Sequence, residues 1–228
     1  MLALGIETSG RPGSVALCRD SDCLANFPLE HGDLRHAQAL PPLVASLLAD
    51  NALSADDLDL IAVSRGPGSF TGLRVGFAFA KTLAWAADCH LFAIDTFQAI
   101  ASAVEVPATS VWVAADAQRH ELFVRPYAKR SDQQWEATQD HRIVSAARWC
   151  SERAPGEIVV TASPGLLDDH LADTIACEPA AQSIAQLGQL AANTGQVATP
   201  VESTPLYLRQ SAAEEKRRAR IDSLGQQE

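Results

Sequence analysis

No two cysteines of this chain sit close enough in sequence to form a C-x-x-C pair. Cys18, Cys23, Cys89, Cys150 and Cys177 are also odd in number, which fits neither the disulfide framework of a small secreted domain nor a zinc site. The expectation is reduced, mostly buried thiols in a cytosol. Long apolar runs are missing as well. Lys81 interrupts the longest stretch, far short of the roughly 20 residues of a membrane span. The start, Met1-Leu2-Ala3-Leu4-Gly5-Ile6, has no basic region and meets Glu7 after one short apolar run, unlike a signal peptide. A cytoplasmic protein with no membrane partner is expected.

Positive charge is scarce: 18 Lys and Arg face 28 Asp and Glu, a formal net charge of −10. A surface of that sign repels a phosphate backbone, so unaided nucleic-acid binding is not expected. Lys216, Arg217, Arg218 and Arg220 form a local exception near the C-terminus, read as a solvated tail or as a contact to RNA or an acidic partner inside a complex.

Apolar side chain is not scarce. With 47 % hydrophobic and 20 % charged residues over 228 positions, the chain has the means for a proper core and a length suited to one large or two small α/β domains. Two lobes are expected, residues 1–106 and 107–228, with Pro107 at the boundary and the last helix packing back on the first lobe. Leu2–Ile6, Ser14–Cys18 and Cys23–Phe27 are short apolar runs separated by turn-forming stretches, which predicts an antiparallel meander. Ala37, Leu40, Val44, Leu47 and Leu48 recur at helical spacing, and Pro41 and Pro42 predict that this helix kinks or starts there. A strand over Leu58–Val63, a helix over Ser69–Ala87 capped by Ser69, a strand over His90–Ile94 and a helix over Thr96–Val104 complete a βββαβαβα lobe. The second half restarts with strands over Ser110–Ala115 and Glu121–Ala128. Helices follow over Ala146–Arg153 and Ala180–Ala192, with a strand over Ile158–Thr161 between them, and a charged helix over Ala212–Arg220 closes the chain.

Three segments bear on chemistry. Between a strand and a helix, Gly66-Pro67-Gly68-Ser69-Phe70-Thr71-Gly72 stands where phosphates are held. It lacks the Lys-Ser or Lys-Thr of a Walker loop, and it is one residue longer than the dinucleotide fingerprint, although Asp95 stands where a ribose-binding carboxylate belongs. Along the helix that follows, Gly72, Gly76 and Ala80 recur every four residues, while Val75, Phe77, Phe79, Leu83 and Trp85 cover much of the remainder. A helix apolar almost all round is buried on more than one side; one side is expected to pack on its own sheet, and the other is read either as a close seat for a partner helix or as part of a helix fully internal to a monomer.

The third segment is Glu7-Thr8-Ser9-Gly10, at the end of the first strand. It resembles the phosphate hairpin of the actin-like, sugar-kinase and Hsp70 ATPase superfamily, where an Asp places Mg²⁺ through water. Here the carboxylate is Glu7, Asp116 of the second hairpin is followed by Ala117 rather than Gly, and Ser163-Pro164-Gly165 offers one glycine for an adenosine loop. A weak, degraded nucleotide site of Glu7, Thr8, Ser9, Gly10 and Asp116 is expected. His36 lacks a second His one turn on, and His31 is offset by five residues, so no metal is expected.

Together these residues resemble the TsaB (YeaZ) family. The resemblance rests on Leu4-Gly5-Ile6-Glu7-Thr8-Ser9, on Ser14-Val15-Ala16-Leu17, on His36 with Leu40-Pro41, and above all on the run Gly66 to Gly76. It continues through Ala115-Asp116-Ala117, Glu121-Leu122-Phe123 and Pro205-Leu206-Tyr207-Leu208-Arg209. Gln118 and Arg119 depart from the family's Asp-Ala-Arg by setting the Arg one residue later. The resemblance implies a duplicated actin-like (ribonuclease H-like) α/β fold with mixed sheets flanked by helices. It also implies a non-catalytic scaffold subunit for N6-threonylcarbamoyladenosine (t6A) formation at position 37 of tRNA. Such a subunit pairs with a TsaD-type catalytic subunit and a TsaE-type ATPase, forms a homodimer alone, meets tRNA only through the complex, and needs no cofactor of its own. The expected interface is Leu40, Val44, Leu47, Ser69, Phe70, Gly72, Leu73, Gly76, Phe77 and Ala80. The alternative is an ATP-binding, kinase-like enzyme of the same superfamily with its own active site.

Overall fold

The computed structural model describes residues 1–29, 36–154, 156–163, 165, 167, 174–199 and 203–209. The first sheet has the order β3-β2-β1-β4-β5, built from β1 (Leu2–Glu7), β2 (Gly13–Arg19), β3 (Asp22–Leu29), β4 (Leu60–Gly66) and β5 (His90–Asp95). β1, β2 and β3 pair antiparallel, and β4 and β5 add in parallel through helical crossovers. Every residue of β1 is buried, as a central strand covered on both faces requires, and this is why its sequence is almost continuously apolar.

The second sheet repeats the arrangement. Its order is β11-β10-β6-β7-β8, with β9 also on β7; the strands are β6 (Ser110–Asp116), β7 (Glu121–Lys129), β8 (Trp135–Ala137), β9 (Arg142–Ser145), β10 (Val159–Thr161) and β11 (Thr174–Ala176). β6, β7 and β8 are antiparallel while β10 and β11 run parallel to β6. Each lobe is thus an antiparallel meander whose first strand accepts one parallel neighbour, which in turn pairs with a second parallel strand, the duplicated α/β plan of the actin-like fold.

Among the described residues five α-helices fill the layers: α1 (His36–Asp50), α2 (Phe70–Ala86), α3 (Thr96–Ala103), α4 (Ala146–Glu152) and α5 (Ala181–Asn193). α1 and α2 cover one face of the first sheet, where Leu40, Val44, Leu47, Phe77 and Ala80 join Leu4, Ile6, Val15 and Val63 in one core. α5 covers the opposite face, with Ala181, Ile184 and Ala185 against Ala3, Ala16 and Ala62. α3 turns Phe97 and Ile100 onto the second sheet, whose far side carries Trp149 of α4. α1 runs through Pro41 and Pro42, so the helix does not start at them. The sequence reading missed β8, β9 and β11, each only three or four residues long. The expected helix over Ala212–Arg220 and the Lys216 to Arg220 cluster lie outside the described residues, as does His31.

Candidate functional site

A cleft of about 950 Å³ opens where the two meanders face each other. Its walls come from the β1–β2 turn (Ser9, Gly10), the β4–α2 loop (Pro67 to Thr71), the β6–β7 turn (Asp116 to Arg119), and Leu206 to Arg209. Ser69 caps α2 as expected, its hydroxyl accepting from the Gly72 amide at 3.2 Å, and its own amide donates to the Ser9 carbonyl at 2.8 Å. The glycine loop is thereby tied to the first hairpin.

Of the five residues expected to hold a nucleotide, the cleft receives Ser9, Gly10 and Asp116. Glu7 and Thr8 are wholly buried behind it. The Glu7 Oε1 accepts from the Ser9 amide, from the Ser9 hydroxyl at 2.5 Å and from the Gly10 amide at 3.2 Å. Burial raises its pKa above the ordinary 4.5, against the opposing pull of those donors. Asp116 is spent on its own turn: Oδ1 accepts from the Gln118 amide at 2.6 Å and Oδ2 from the Gln118 side chain at 3.0 Å. Hydrated Mg²⁺ needs a carboxylate oxygen facing the cleft. Of the two carboxylates, Asp116 lines the cleft with each oxygen accepting one bond from Gln118, while Glu7 is enclosed by its own turn, so the cleft does not present the facing pair of carboxylates that would place a hydrated metal beside a nucleotide. Among the described residues no group of three or more His, Cys, Asp or Glu is placed to hold a metal ion.

Asp95 does not serve a ribose. Its Oδ1 caps α3 by accepting from Phe97 and Gln98 at 2.8 and 3.1 Å, and its Oδ2 pairs with Arg125 at 2.6 Å and lies 3.2 Å from His141. The carboxylate locks the first lobe to the second, which removes the dinucleotide reading.

The interface residues need a correction. Leu40, Val44, Leu47, Leu73, Phe77 and Ala80 are all buried within the chain's own fold, none more than 3 % exposed. Gly72 and Gly76 are buried too. A Cβ on Gly72 would stand 1.9 Å from the Thr8 carbonyl oxygen and one on Gly76 2.2 Å from the Thr8 hydroxyl. The small stripe therefore lets α2 approach the end of β1, not a second polypeptide. The surface of this helix pair is instead formed by Pro41, Pro42, Ala45 and Ala49 of α1 and by Thr71, Arg74, Ala78, Thr82 and Trp85 of α2. Trp85, read from sequence as part of the covered helix, is 82 % exposed.

One feature of the cleft escaped the sequence reading. The Leu206 amide donates to the Arg65 carbonyl at 2.8 Å, the Tyr207 ring packs on Phe70 with centroids 4.8 Å apart, and Lys81 donates to the Ser203 carbonyl. Arg209 then reaches the other lobe, donating to the Ala117 carbonyl at 2.6 Å and pairing with Glu121. Residues 203–209 thus strap the cleft. Their only sequence signal is the Pro-Leu-Tyr-Leu-Arg run, which has no periodicity to reveal long-range contacts.

Comparison with known proteins agrees with this geometry. The family model TsaD, tRNA N6-adenosine threonylcarbamoyltransferase, matches residues 30–163, more than half of the 228. The chain is 31 % identical over 146 residues to the tRNA threonylcarbamoyladenosine biosynthesis protein TsaB of Escherichia coli K12, covering 63 % of this chain and 62 % of that one. Identity is 36 % over 102 residues to TsaB of Bacillus subtilis 168, 45 % and 44 % of the two chains. It is 38 % over 123 residues to the tRNA N6-adenosine threonylcarbamoyltransferase of Lawsonia intracellularis, 47 % and 35 %. The matched region thus spans between about a third and two thirds of these relatives' lengths. Among solved structures, YeaZ from Pseudomonas aeruginosa superposes with a TM-score of 0.75 at 24 % identity, covering 91 % of this chain and 99 % of that one, which is a likeness of fold. The duplicated lobes, the Gly66 to Gly76 run and the family match over most of the first lobe and part of the second place this chain in the TsaD family, among its TsaB/YeaZ members.

Proposed function

We propose that this chain takes part in the formation of N6-threonylcarbamoyladenosine in tRNA as a non-catalytic scaffold, pairing with a TsaD-type transferase and working with a TsaE-type ATPase. The single observation that carries the scaffold reading is the outward side of α1 and α2. Pro41, Pro42, Ala45 and Ala49 of α1 and Ala78, Trp85 and Ala86 of α2 are exposed, together with the polar Ser46, Arg74 and Thr82, and Trp85 has 82 % of its surface in water. Small residues permit close approach of a partner helix, and a bare tryptophan is the residue type that most often anchors an interface. An interface of standard size, about 800 Å² per partner, fits on two helices of this length, and the same surface serves a homodimer when the catalytic subunit is absent.

The cleft supports a non-catalytic role from the other side. Glu7 is shut behind its own turn, Asp116 accepts from Gln118 with both oxygens, and residues 206–209 occupy one wall. The assay is reconstitution of tRNA modification from purified components. Modified adenosine should accumulate only when this chain accompanies the transferase and the ATPase, and the chain alone should leave ATP unhydrolysed. Full modification without it, or ATP turnover by the isolated chain that is lost on Asp116→Asn, would overturn the proposal.

A further inference from the structure

Two of the five cysteines are brought together by the first hairpin. Cys18 of β2 and Cys23 of β3 are direct cross-strand partners, one step from the turn made by Asp20 and Ser21. Directly opposed residues of an antiparallel pair have Cα atoms about 4.5–5.5 Å apart, inside the roughly 4.4–6.8 Å window that a disulfide spans. Both thiols lie on the same side of the sheet. Cys18 belongs to the core beneath α5, and Cys23 packs against that core. The register slips between Leu17 and Cys18, so that Leu24 is the extra residue of a bulge beside the pair. The two sulfurs differ in access: Cys18 is fully buried, while Cys23 is half-buried and donates to the Ala25 carbonyl at 3.6 Å.

We propose that Cys18 and Cys23 are a redox modification site, closing to a cross-strand disulfide when the chain meets an oxidised low-molecular-mass disulfide. The half-buried Cys23 enters first. Its thiolate attacks one sulfur of the oxidant, breaking that S–S bond and releasing one small thiolate. Cys18, deprotonated in its turn, attacks the Cys23 sulfur and expels the second small thiolate. Two protein thiols are oxidised to one disulfide and one small disulfide is reduced to two thiols. The second step is the slow one. Burial and the neighbouring Cys23 push the Cys18 thiol up to about 12, so its thiolate is rare near neutrality. The charged groups around the pair are Arg19 and Asp22 at the turn and the Met1 ammonium with Asp20, paired at 2.6 Å; from α5 comes the neutral Gln189, which donates to the Met1 and Cys18 carbonyls at 2.9 and 3.4 Å.

The bond has a structural consequence. β3 is one of the two edge strands of its sheet, and its Leu24 and Phe27 are exposed. A slipped register beside an exposed apolar edge is where pairing with another chain begins. A covalent rung at the slip fixes the edge in its native register.

The experiment exposes the full chain to oxidised glutathione, blocks remaining thiols with N-ethylmaleimide in acid, and maps peptides without reduction. The expected product is a Cys18–Cys23 peptide lighter by two hydrogens, formed at a rate that rises about tenfold per pH unit between about pH 7 and pH 9. Cys18→Ala should instead hold a lasting glutathione adduct on Cys23, and Cys23→Ser should leave Cys18 unmodified. Wild-type protein that keeps the glutathione adduct on Cys23, links Cys23 to another cysteine, or stays fully reduced would overturn the proposal.

Discussion

The two sides of α2 are made of similar residues and do opposite work. Inward, Gly72, Gly76 and Ala80 are pressed against the end of β1, with Thr8 filling the space where a side chain would stand. Outward, Ala78, Thr82, Trp85 and Ala86 meet solvent. Small residues are enriched wherever two backbones come close, and nothing in a four-residue repeat says whether the second backbone belongs to the same chain. Here the intramolecular neighbour has taken the stripe, and what remains for another molecule is an aromatic side chain on a stripe that mixes alanines with Thr71, Arg74 and Thr82.

The sharpest break in that comparison comes from filling the inward side. Gly72→Ala should cost about 3 kcal/mol, near the upper end for overpacking a tight contact. Its Cβ meets a backbone oxygen of Thr8 that cannot rotate away. Gly76→Ala should cost less, about 1–2 kcal/mol, because there the obstacle is the Thr8 hydroxyl, on a side chain able to turn. Urea midpoints give both values, and Thr8→Ala should rescue Gly76→Ala but not Gly72→Ala. Equal costs, or rescue of both, would mean that the stripe is not packed as described.

Next in size is the strap at the N-terminal end of the same helix. Arg209→Ala removes the bond to the Ala117 carbonyl and the pair with Glu121. About 1–2 kcal/mol should be lost, most of it from the carbonyl contact, since Glu121 is more than a third exposed and its charge is screened. Hydrogen exchange carries the discriminating signal. The Leu206 amide, which donates to Arg65 in the other lobe, should lose protection together with the β6–β7 turn, while the outward side of α2 keeps its own. Loss confined to the turn would reduce the strap to a local contact.

Most of the architecture was legible in sequence because it is local. The apolar runs Leu2–Ile6, Ser14–Cys18 and Cys23–Phe27, the Ser69 cap and the helical spacing over Thr96–Val104 each announce their element, and each is found within a few residues of its expected bounds. Strands β8, β9 and β11 were not legible, being no longer than two full alternations and held by pairing with β7 and β10. The site divided along the same line. Glu7 to Gly10 and Asp116 were recognised as hairpin residues, but the sense of each carboxylate was not. It depends on bonds that Ser9, Gly10 and Gln118 make only once the turns have closed. Sidedness of α2 was lost for a related reason: Thr71, Arg74 and Thr82 do mark its solvent side, but Ala78 and Trp85 interrupt that stripe, so the helix read as apolar almost all round and Trp85 as covered.

A smaller effect tests the floor on which the inward side rests. Because burial raises the Glu7 pKa above 4.5, the folded chain holds this proton more tightly than the unfolded chain. The contribution of Glu7 to stability is then full below about pH 4.5 and falls as pH rises through the folded value. Glu7→Gln cannot ionise and keeps an oxygen for the Ser9 and Gly10 amides. Its melting temperature relative to wild type should be flat below about pH 4.5 and climb as pH increases above it. A difference that shrinks with rising pH would show that the turn donors outweigh burial.

The smallest change in stability is expected on the outward side, at Trp85. With 82 % of its surface already in water, Trp85→Ala should shift the urea midpoint by no more than about 0.5 kcal/mol. If this face is the docking surface, the same substitution should lower affinity for the TsaD-type transferase by tenfold or more, about 1.4 kcal/mol. It should also weaken self-association in sedimentation experiments. Inward and outward substitutions would then separate cleanly, one set unfolding the chain and the other leaving it folded and alone. An affinity untouched by Trp85→Ala and by Ala78→Asp, also exposed on α2, would place the partner elsewhere. The exposed tryptophan would then be a surface residue of no consequence, and the inward packing of α2 would be all that its composition explains.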